Sequence, residues 1–388
     1  MKRLASIALA AAFAVAHVSA HAQEIKLGGL LETSGFAASL GQPGLEGAVL
    51  AVEQVNANGG INGRKVIFTN VNTESDNTKT VSAAKRLIDQ DEVAAIIGPM
   101  SSGSSFAIVD AIERSKVAMI TNGATRGIVL PPEKRKFTFL APLTDVVVQA
   151  AMLKDMQAKG IHKIAILNSD VAFGTSGREA LLAQAPQYGV EVVAQETFGN
   201  ADTDMSAQLT KIRASAAEAT VVWATGPGLA ISTKNYRSLG IKQPIYLCHA
   251  ANDFNYLRLA GDSANGILLP SSKLYVADSL APSDPQKAVV TSFVSAYEKK
   301  YGKLPATFAG NGYDAANILM DAIRKVGTDP QKIRDAIEGL KNYEGVTALY
   351  SYGPNDHFGT RPESVVMLTV KEGKFMLAGA AVPAVANK

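Results

Sequence analysis

The chain has 388 residues, 47% of them hydrophobic, and a formal net charge of +3, enough apolar content to bury one or two cores of α/β size. Lys2 and Arg3 lie in a segment expected to be removed. The remainder is then nearly neutral and carries no Lys/Arg cluster, which argues against nucleic acid as a partner. Cys248 is the only cysteine, so no disulfide can form within the chain and the fold depends on its core.

Residues 1–22 read as an export signal. Lys2-Arg3 form a basic start, Leu4 to Val18 a small-residue apolar run, and Ala20-His21-Ala22 an A-x-A cleavage site that leaves Gln23 first. The run is too short for a membrane anchor, and no later segment approaches a membrane span. Residues 25–31 form a first strand, followed by the turn Glu32 to Phe36. Pro43 is expected near the start of a helix, where its missing N–H does no harm. Leu45, Ala48, Val49, Val52 and Val55 recur there at helical spacing. The glycine-rich stretch 56–63 turns the chain into a strand at 65–71. Val81, Ala84, Leu87 and Ile88 mark the next helix. Gly28-Gly29 lacks the G-x-G-x-x-G spacing of a dinucleotide site, and no P-loop lysine follows a glycine-rich turn.

The chain is organised around residues 94–125. Ala94 to Ile97 is apolar without alternation, as in a strand covered on both faces. The turn Ser101-Ser102-Gly103-Ser104-Ser105 follows, then Phe106, Ile108, Val109 and Ile112 at helical spacing. A serine-rich turn ahead of a helix offers backbone N–H groups, hydroxyls and the positive end of the helix dipole, a site for a carboxylate. Strand 117–120 leads to a second small-residue turn, Thr121 to Thr125. Capping alone accounts for any single serine. Two consecutive strand ends, both hydroxyl-rich, point instead to one crevice at the carboxyl ends of parallel strands.

After the strand at 137–140, Ala141-Pro142 breaks the pattern and a second α/β series begins. It runs helix 146–156, strand 163–167, loop 168–174, helix 176–185, strand 191–195, helix 205–214 and strand 220–224. The loop 225–228, a helix to Leu239, strand 244–248 and the loop His249 to Asn252 follow. The pattern changes again near 268–272. Residues 289–301, 312–326 and 331–340 are amphipathic helices, 350–359 is turn-rich, and 365–377 reads as a closing hairpin. Helices between strands imply mainly parallel sheets with right-handed crossovers.

Nothing in the chain assembles catalytic groups. His162, His249 and His357 show no H-x-x-x-H or H-E-x-x-H spacing, and there is no C-x-x-C. Gly103-Ser104-Ser105 is not a G-x-S-x-G elbow, because Phe106-Ala107 follows. Neither an enzymatic activity nor a cofactor is expected.

The succession IKLGGLLETSG, AVEQVNANGGINGRKV, AAIIGPMSSGSS, AMITNGAT, IAILNSDVAFGTSGR and GYDAANILMDAI resembles the periplasmic leucine/isoleucine/valine-binding proteins, type I substrate-binding proteins of ABC transporters. The similarity covers nearly the whole chain after the signal. It implies an α/β fold of two Rossmann-like lobes joined by a three-strand hinge, with residues 23–140 plus 270–359 as one lobe and 141–269 plus 360–388 as the other. It also implies a periplasmic protein, expected as a monomer, that hands a small carboxylate-bearing ligand to an inner-membrane ABC permease. Ser102 corresponds to the family's carboxylate-binding serine, with Ser101 and Ser104 in the same turn. Gly123, through its carbonyl, and Thr125 fall where the family holds the ligand's polar head. Phe173 stands where members often carry a tyrosine. Thr225 and Gly226 stand where an aromatic residue often covers the ligand. Phe36, Leu40 and Phe308 are expected to complete the apolar walls.

One position departs from the amino-acid-binding pattern. Counted without a gap from Gly240 to Asp262, His249 falls where those members carry the acid that pairs with the ligand's ammonium. Histidine supplies no fixed negative charge, and an unpaired buried ammonium is costly. The expected ligand is therefore an aromatic or other non-amino organic acid. If the count is off by a residue, Asp253 is the nearest acid and a branched-chain or other amino acid is the ligand; a periplasmic ligand sensor is the other alternative.

Overall fold

The structure is a computed structural model and describes residues 24–379. The expected export signal lies outside the described residues. So does the tail from residue 380.

The first sheet is wholly parallel, in the order β2-β1-β3-β4-β5. Its strands and helices alternate along the chain as β1 (Ile25–Gly29), α1 (Ala38–Ala57), β2 (Val66–Asn70), α2 (Asn77–Asp89), β3 (Ala95–Ile97), α3 (Ser102–Ser115), β4 (Ala118–Thr121) and β5 (Thr138–Leu140). Every residue of β3, β4 and β5 is buried. These are the uninterrupted apolar runs that sandwiching between helices requires. Side-chain caps set two helix starts that matter below. Asp76 accepts the Lys79 N–H at 2.8 Å ahead of α2, and Ser101 accepts the Ser104 N–H at 3.2 Å ahead of α3.

The chain then enters α4 (Asp145–Ala158), which packs on the second sheet. The series continues through β6 (Lys163–Ser169), α5 (Ala172–Gln184), β7 (Glu191–Phe198), α6 (Ser206–Ala214), β8 (Ala219–Trp223), α7 (Pro227–Ser238), β9 (Ile245–Leu247), α8 (Phe254–Ala260) and β10 (Leu268–Ser271). Three helices return to the first-sheet side: α9 (Lys287–Tyr301), α10 (Thr307–Val326) and α11 (Pro330–Glu338). A two-stranded piece, β11 (Tyr343–Glu344) with β12 (Leu349–Tyr350), precedes β13 (Val366–Lys371) and β14 (Lys374–Leu377). The second sheet has the order β14-β13-β10-β9-β8-β6-β7. It is parallel from β7 to β10, and antiparallel β13 and β14 close one edge.

Three expectations need correction. Pro43 lies inside α1, not near its start, because the helix begins at Ala38. Helix α10 begins at Thr307, five residues before the expected 312. Gly310 and Gly312 look like breakers in the sequence. Here Gly312 lets α10 approach α1, since a Cβ on it would sit 2.0 Å from the Gly44 carbonyl oxygen and one on Gly47 would sit 1.8 Å from that of Ala309, whereas Gly310 makes room for Val346 and Thr347. Finally, α5 starts at Ala172, so Phe173 stands in the first turn of a helix and not in a loop.

In each sheet the strand order reverses once, between β1 and β3 in the first and between β6 and β8 in the second. Crevices open at such reversals, at the carboxyl ends of the strands. The loops after β1 and β3 and those after β6, β8 and β9 line a single cavity.

Candidate functional site: a cleft between the two sheets

The cavity measures about 550 Å³. The first sheet contributes Phe36 and Leu40 from the stretch after β1, residues 75–78 after β2, Met100 to Gly103 after β3, and Asn122 and Ala124 after β4. The second contributes Val171 to Phe173, Thr225, His249, Ala250 and Asn252, and α10 adds Thr307, Phe308 and Asn311 from its first turns. Apolar and polar residues share the lining about equally, the polar ones including Ser101, Ser102, Asn122, His249 and Asn311. No lysine or arginine is in the lining, and Asp76 is its one acid.

The first wall is built on the turn after β3. Glu32, fully buried, accepts the Met100 N–H at 2.8 Å and the Ser101 N–H at 3.2 Å. The Ser101 hydroxyl oxygen is occupied by the Ser104 N–H. The N–H groups of Ser102 and Gly103 remain, in the first turn of a 14-residue helix where they have no partner within the helix. Together with the helix dipole they form an anion seat that carries no formal charge of its own.

The expected residues Ser101, Ser102, Phe36, Leu40, Phe173, Thr225, His249 and Phe308 come together in this lining. Ser104, Gly123, Thr125 and Gly226 are outside it. Ser104 and Thr125 turn buried hydroxyls into the protein interior. In the extended stretch after β4, alternate residues face opposite ways. Asn122 and Ala124 therefore face the cavity, and Gly123 packs against Ser102 and Ser105. Gly226 has φ of +63°, a conformation open to glycine, and a Cβ there would lie 3.3 Å from the Phe36 carbonyl oxygen. Its role is close approach of the two walls at the cleft's edge. The sequence reading missed Glu32, Asp76, Asn122, Asn252 and Asn311.

The second wall is aromatic. His249 follows β9 and is 8% exposed. Its ring lies edge-on to Phe173 at 5.6 Å and to Trp223 at 5.9 Å. Its Nδ1 has no hydrogen-bond partner among the described residues. Burial pushes its pKa down to about 4, so the ring is neutral at pH 7, with one donor and one acceptor nitrogen. Asp253 is not in the lining. It caps α8 by accepting the Asn255 N–H at 3.0 Å, and burial raises its pKa. Cys248 is buried, its thiol pKa pushed up to about 12 by burial, which makes it a packing residue and no nucleophile.

A family model described as periplasmic binding protein matches residues 24–374, nearly all that the structure describes. The chain belongs to the periplasmic binding protein family. A curated relative is the Leu/Ile/Val-binding protein homolog 7 of Brucella abortus, 24% identical over 389 residues, with 95% of each chain covered. Among solved structures, an extracellular ligand-binding receptor from Rhodopseudomonas palustris HaA2 superimposes with a TM-score of 0.85 at 26% identity, over 92% of this chain and 100% of that one. The leucine-binding protein LivK of Thermotoga maritima gives a TM-score of 0.81 at 27% identity, over 92% and 98%. LivJ of Streptococcus pneumoniae, solved with isoleucine, gives 0.79 at 27%, over 91% and 98%. The fold is the two-lobed one of type I periplasmic binding proteins. These are substrate-binding proteins of the branched-chain amino acid ABC-transporter type, extracytoplasmic and working with ABC permeases. Among the described residues of this binding protein no helix is long and apolar enough to cross a membrane.

Proposed function

We propose that this binding protein captures a small non-amino carboxylate, aromatic or otherwise mainly apolar, and delivers it to an inner-membrane ABC permease. In this reading residues 1–22 are cleaved on export to the periplasm, and the mature protein acts as a monomer without catalytic activity. Residues 23–140 with 270–359 form one lobe, residues 141–269 with 360–388 form the other, and the ligand lies between them. Ser102 and the N–H groups of Ser102 and Gly103 hold the carboxylate. Phe36, Leu40, Phe173 and Phe308 flank the apolar body, and His249 meets a polar group at the far end.

The observation that carries this reading is the neutral, buried His249 in the second wall. An α-ammonium placed against it would have no counter-charge from that wall, and burying an unpaired charge is costly. A second reading, an amino-acid ligand, has one observation in its favour. The Asp76 carboxylate lines the cavity and is the one group there able to pair with an ammonium.

Isothermal calorimetry and thermal shift with benzoate, 3-phenylpropanoate and leucine separate the two. The carboxylates should bind and raise the melting temperature, because a ligand held by the folded state alone stabilises it. Leucine should do neither. Micromolar or tighter binding of leucine would overturn the proposal in favour of the second reading.

A further inference from the structure

Two residues of the cavity lining are joined behind the wall by one side chain. The Tyr275 hydroxyl donates to the Asn252 carbonyl oxygen at 2.7 Å and accepts the Thr307 backbone N–H at 3.2 Å. Thr307 is the first residue of α10, and the residue before it, Ala306, has no side chain able to cap. That N–H is one of those a helix cannot satisfy from within. Tyr275 supplies the acceptor.

The two partners belong to different lobes. Helix α10 packs along α1 of the first lobe. Tyr275 stands in the connection after β10, inside the range 270–359 assigned above to the first lobe, yet its ring is held by second-lobe aromatics, edge-on to Phe254 of α8 at 5.5 Å and against Phe375 of β14 at 4.7 Å, and so moves with them. Asn252 is anchored to the same side, its amide donating to the Pro270 carbonyl oxygen of β10 at 2.9 Å. Burial raises the Tyr275 pKa further above the ordinary phenol range, so the donation to Asn252 persists at any pH the protein meets. Tyr275 itself does not line the ligand cavity.

We propose that Tyr275 is a positioning residue for ligand capture, capping α10 across the lobes and thereby stabilising the closed, ligand-holding arrangement. The proposal rests on the cleft being the binding site but not on the class of ligand. Opening separates the hydroxyl from Thr307 and returns the N–H to water. Losing the hydroxyl should therefore speed ligand release and leave capture unchanged. The effect should be equal for every ligand, because Tyr275 touches none of them.

A double-mutant cycle tests this. Tyr275→Phe keeps the ring and removes the hydroxyl. Thr307→Pro removes the N–H at a first helical position, where proline is well tolerated. Ala306 already has φ −75° and ψ 159°, the extended backbone that a following proline requires. Thr307→Val keeps the N–H and controls for the side chain. Rates and affinities are measured for benzoate, 3-phenylpropanoate and leucine, and hydrogen exchange of the Thr307 amide is followed without ligand.

Tyr275→Phe should weaken every ligand that binds by one common factor, about three- to tenfold, the size of one net hydrogen bond. The loss should lie in koff, persist in the Thr307→Val background and vanish in Thr307→Pro. The Thr307 amide should exchange faster. An unchanged Kd in Tyr275→Phe, or a loss undiminished in Thr307→Pro, overturns the proposal. If none of the three ligands binds, the ligand class is wrong, and the Thr307 exchange rate alone decides about Tyr275, an unchanged rate overturning it.

Discussion

The two walls of the cleft stand at equivalent places, each at the reversal point of a mainly parallel sheet, yet their chemistry differs. The first wall presents N–H groups and hydroxyls, and one buried acid, Glu32, has already taken the two N–H groups nearest the strand. What remains at Ser102 and Gly103 attracts negative charge without supplying a cation. The second wall presents the rings of Phe173 and His249, the latter backed by Trp223, with no hydrogen bond at His249 Nδ1. In the proposed function the first wall holds the carboxylate and the second selects what is attached to it. Three substitutions, one on each wall and one between the two readings, test that division.

The largest effect expected is on stability, through His249. Its pKa in the unfolded chain is about 6.5, against about 4 when folded. Stability linked to this group is fully present above pH 6.5 and is lost as the pH falls, because the unfolded chain then binds a proton that the folded protein refuses. The loss should reach roughly 3 kcal/mol near pH 4, at about 1.4 kcal/mol per pH unit. Asp314 slopes the other way in the same window. Burial raises it to about 6, so its contribution is present at low pH and lost as the pH rises through 6. His249→Gln removes only the imidazole titration. Relative to the wild type, the variant should gain up to about 3 kcal/mol on going from pH 7 to pH 4, read from denaturant unfolding at both values. Equal slopes in the two proteins would show that His249 is not the neutral buried group described.

Ser102→Ala tests the other wall. A hydrogen bond to a charged partner contributes about 1.5–3 kcal/mol, so every carboxylate that binds should weaken by roughly ten- to a hundredfold. The ligand-free melting temperature should stay where it is, because Ser101, not Ser102, caps α3. Calorimetry over several carboxylates provides the check. A loss confined to one ligand would place Ser102 among the groups that choose, against the division of labour between the walls.

The first wall was the more legible in the sequence, and the reason is local. A short apolar strand, a serine-glycine turn and a helix are contiguous, so the anion seat at Ser102 follows from neighbours alone. Glu32 escaped because it reaches the same turn from a loop far back in the chain, and no periodicity links it to Met100. The cavity lining after β4 is made by Asn122 and Ala124, with Gly123 and Thr125 outside it, a placement set by the packing of that stretch against α3. The α/β alternation predicted both sheets well, but the start of α10 was lost because Gly312 serves a helix crossing and Gly310 a close contact with Val346 and Thr347, neither of which a local pattern reveals. Asn252 and Asn311 reach the cavity only through packing between distant elements. His249 was singled out by counting along a family pattern; its burial against Phe173 and Trp223 is a matter of three-dimensional packing.

The smallest effect expected is at Asp76, and its sign separates the two ligand classes. The carboxylate is exposed and caps α2 through the Lys79 N–H. It has no cation of its own, since Lys79 pairs with Glu74 at 2.7 Å. A carboxylate ligand in the same cavity is repelled by it, by something under 1 kcal/mol for charges several ångströms apart in a partly solvated site. Asp76→Asn keeps a capping side chain, so α2 should be retained. Removing the charge should tighten benzoate or 3-phenylpropanoate binding by about two- to fivefold at low salt, and the gain should shrink as salt screens the pair. An amino acid responds in the opposite direction. Its ammonium would lose the one acid in the cavity wall, and binding should weaken by about two- to fivefold, the size of an exposed ion pair. Calorimetry on the single variant at two salt concentrations therefore reads the ligand class from the sign of the change, independently of which wall contributes more of the affinity.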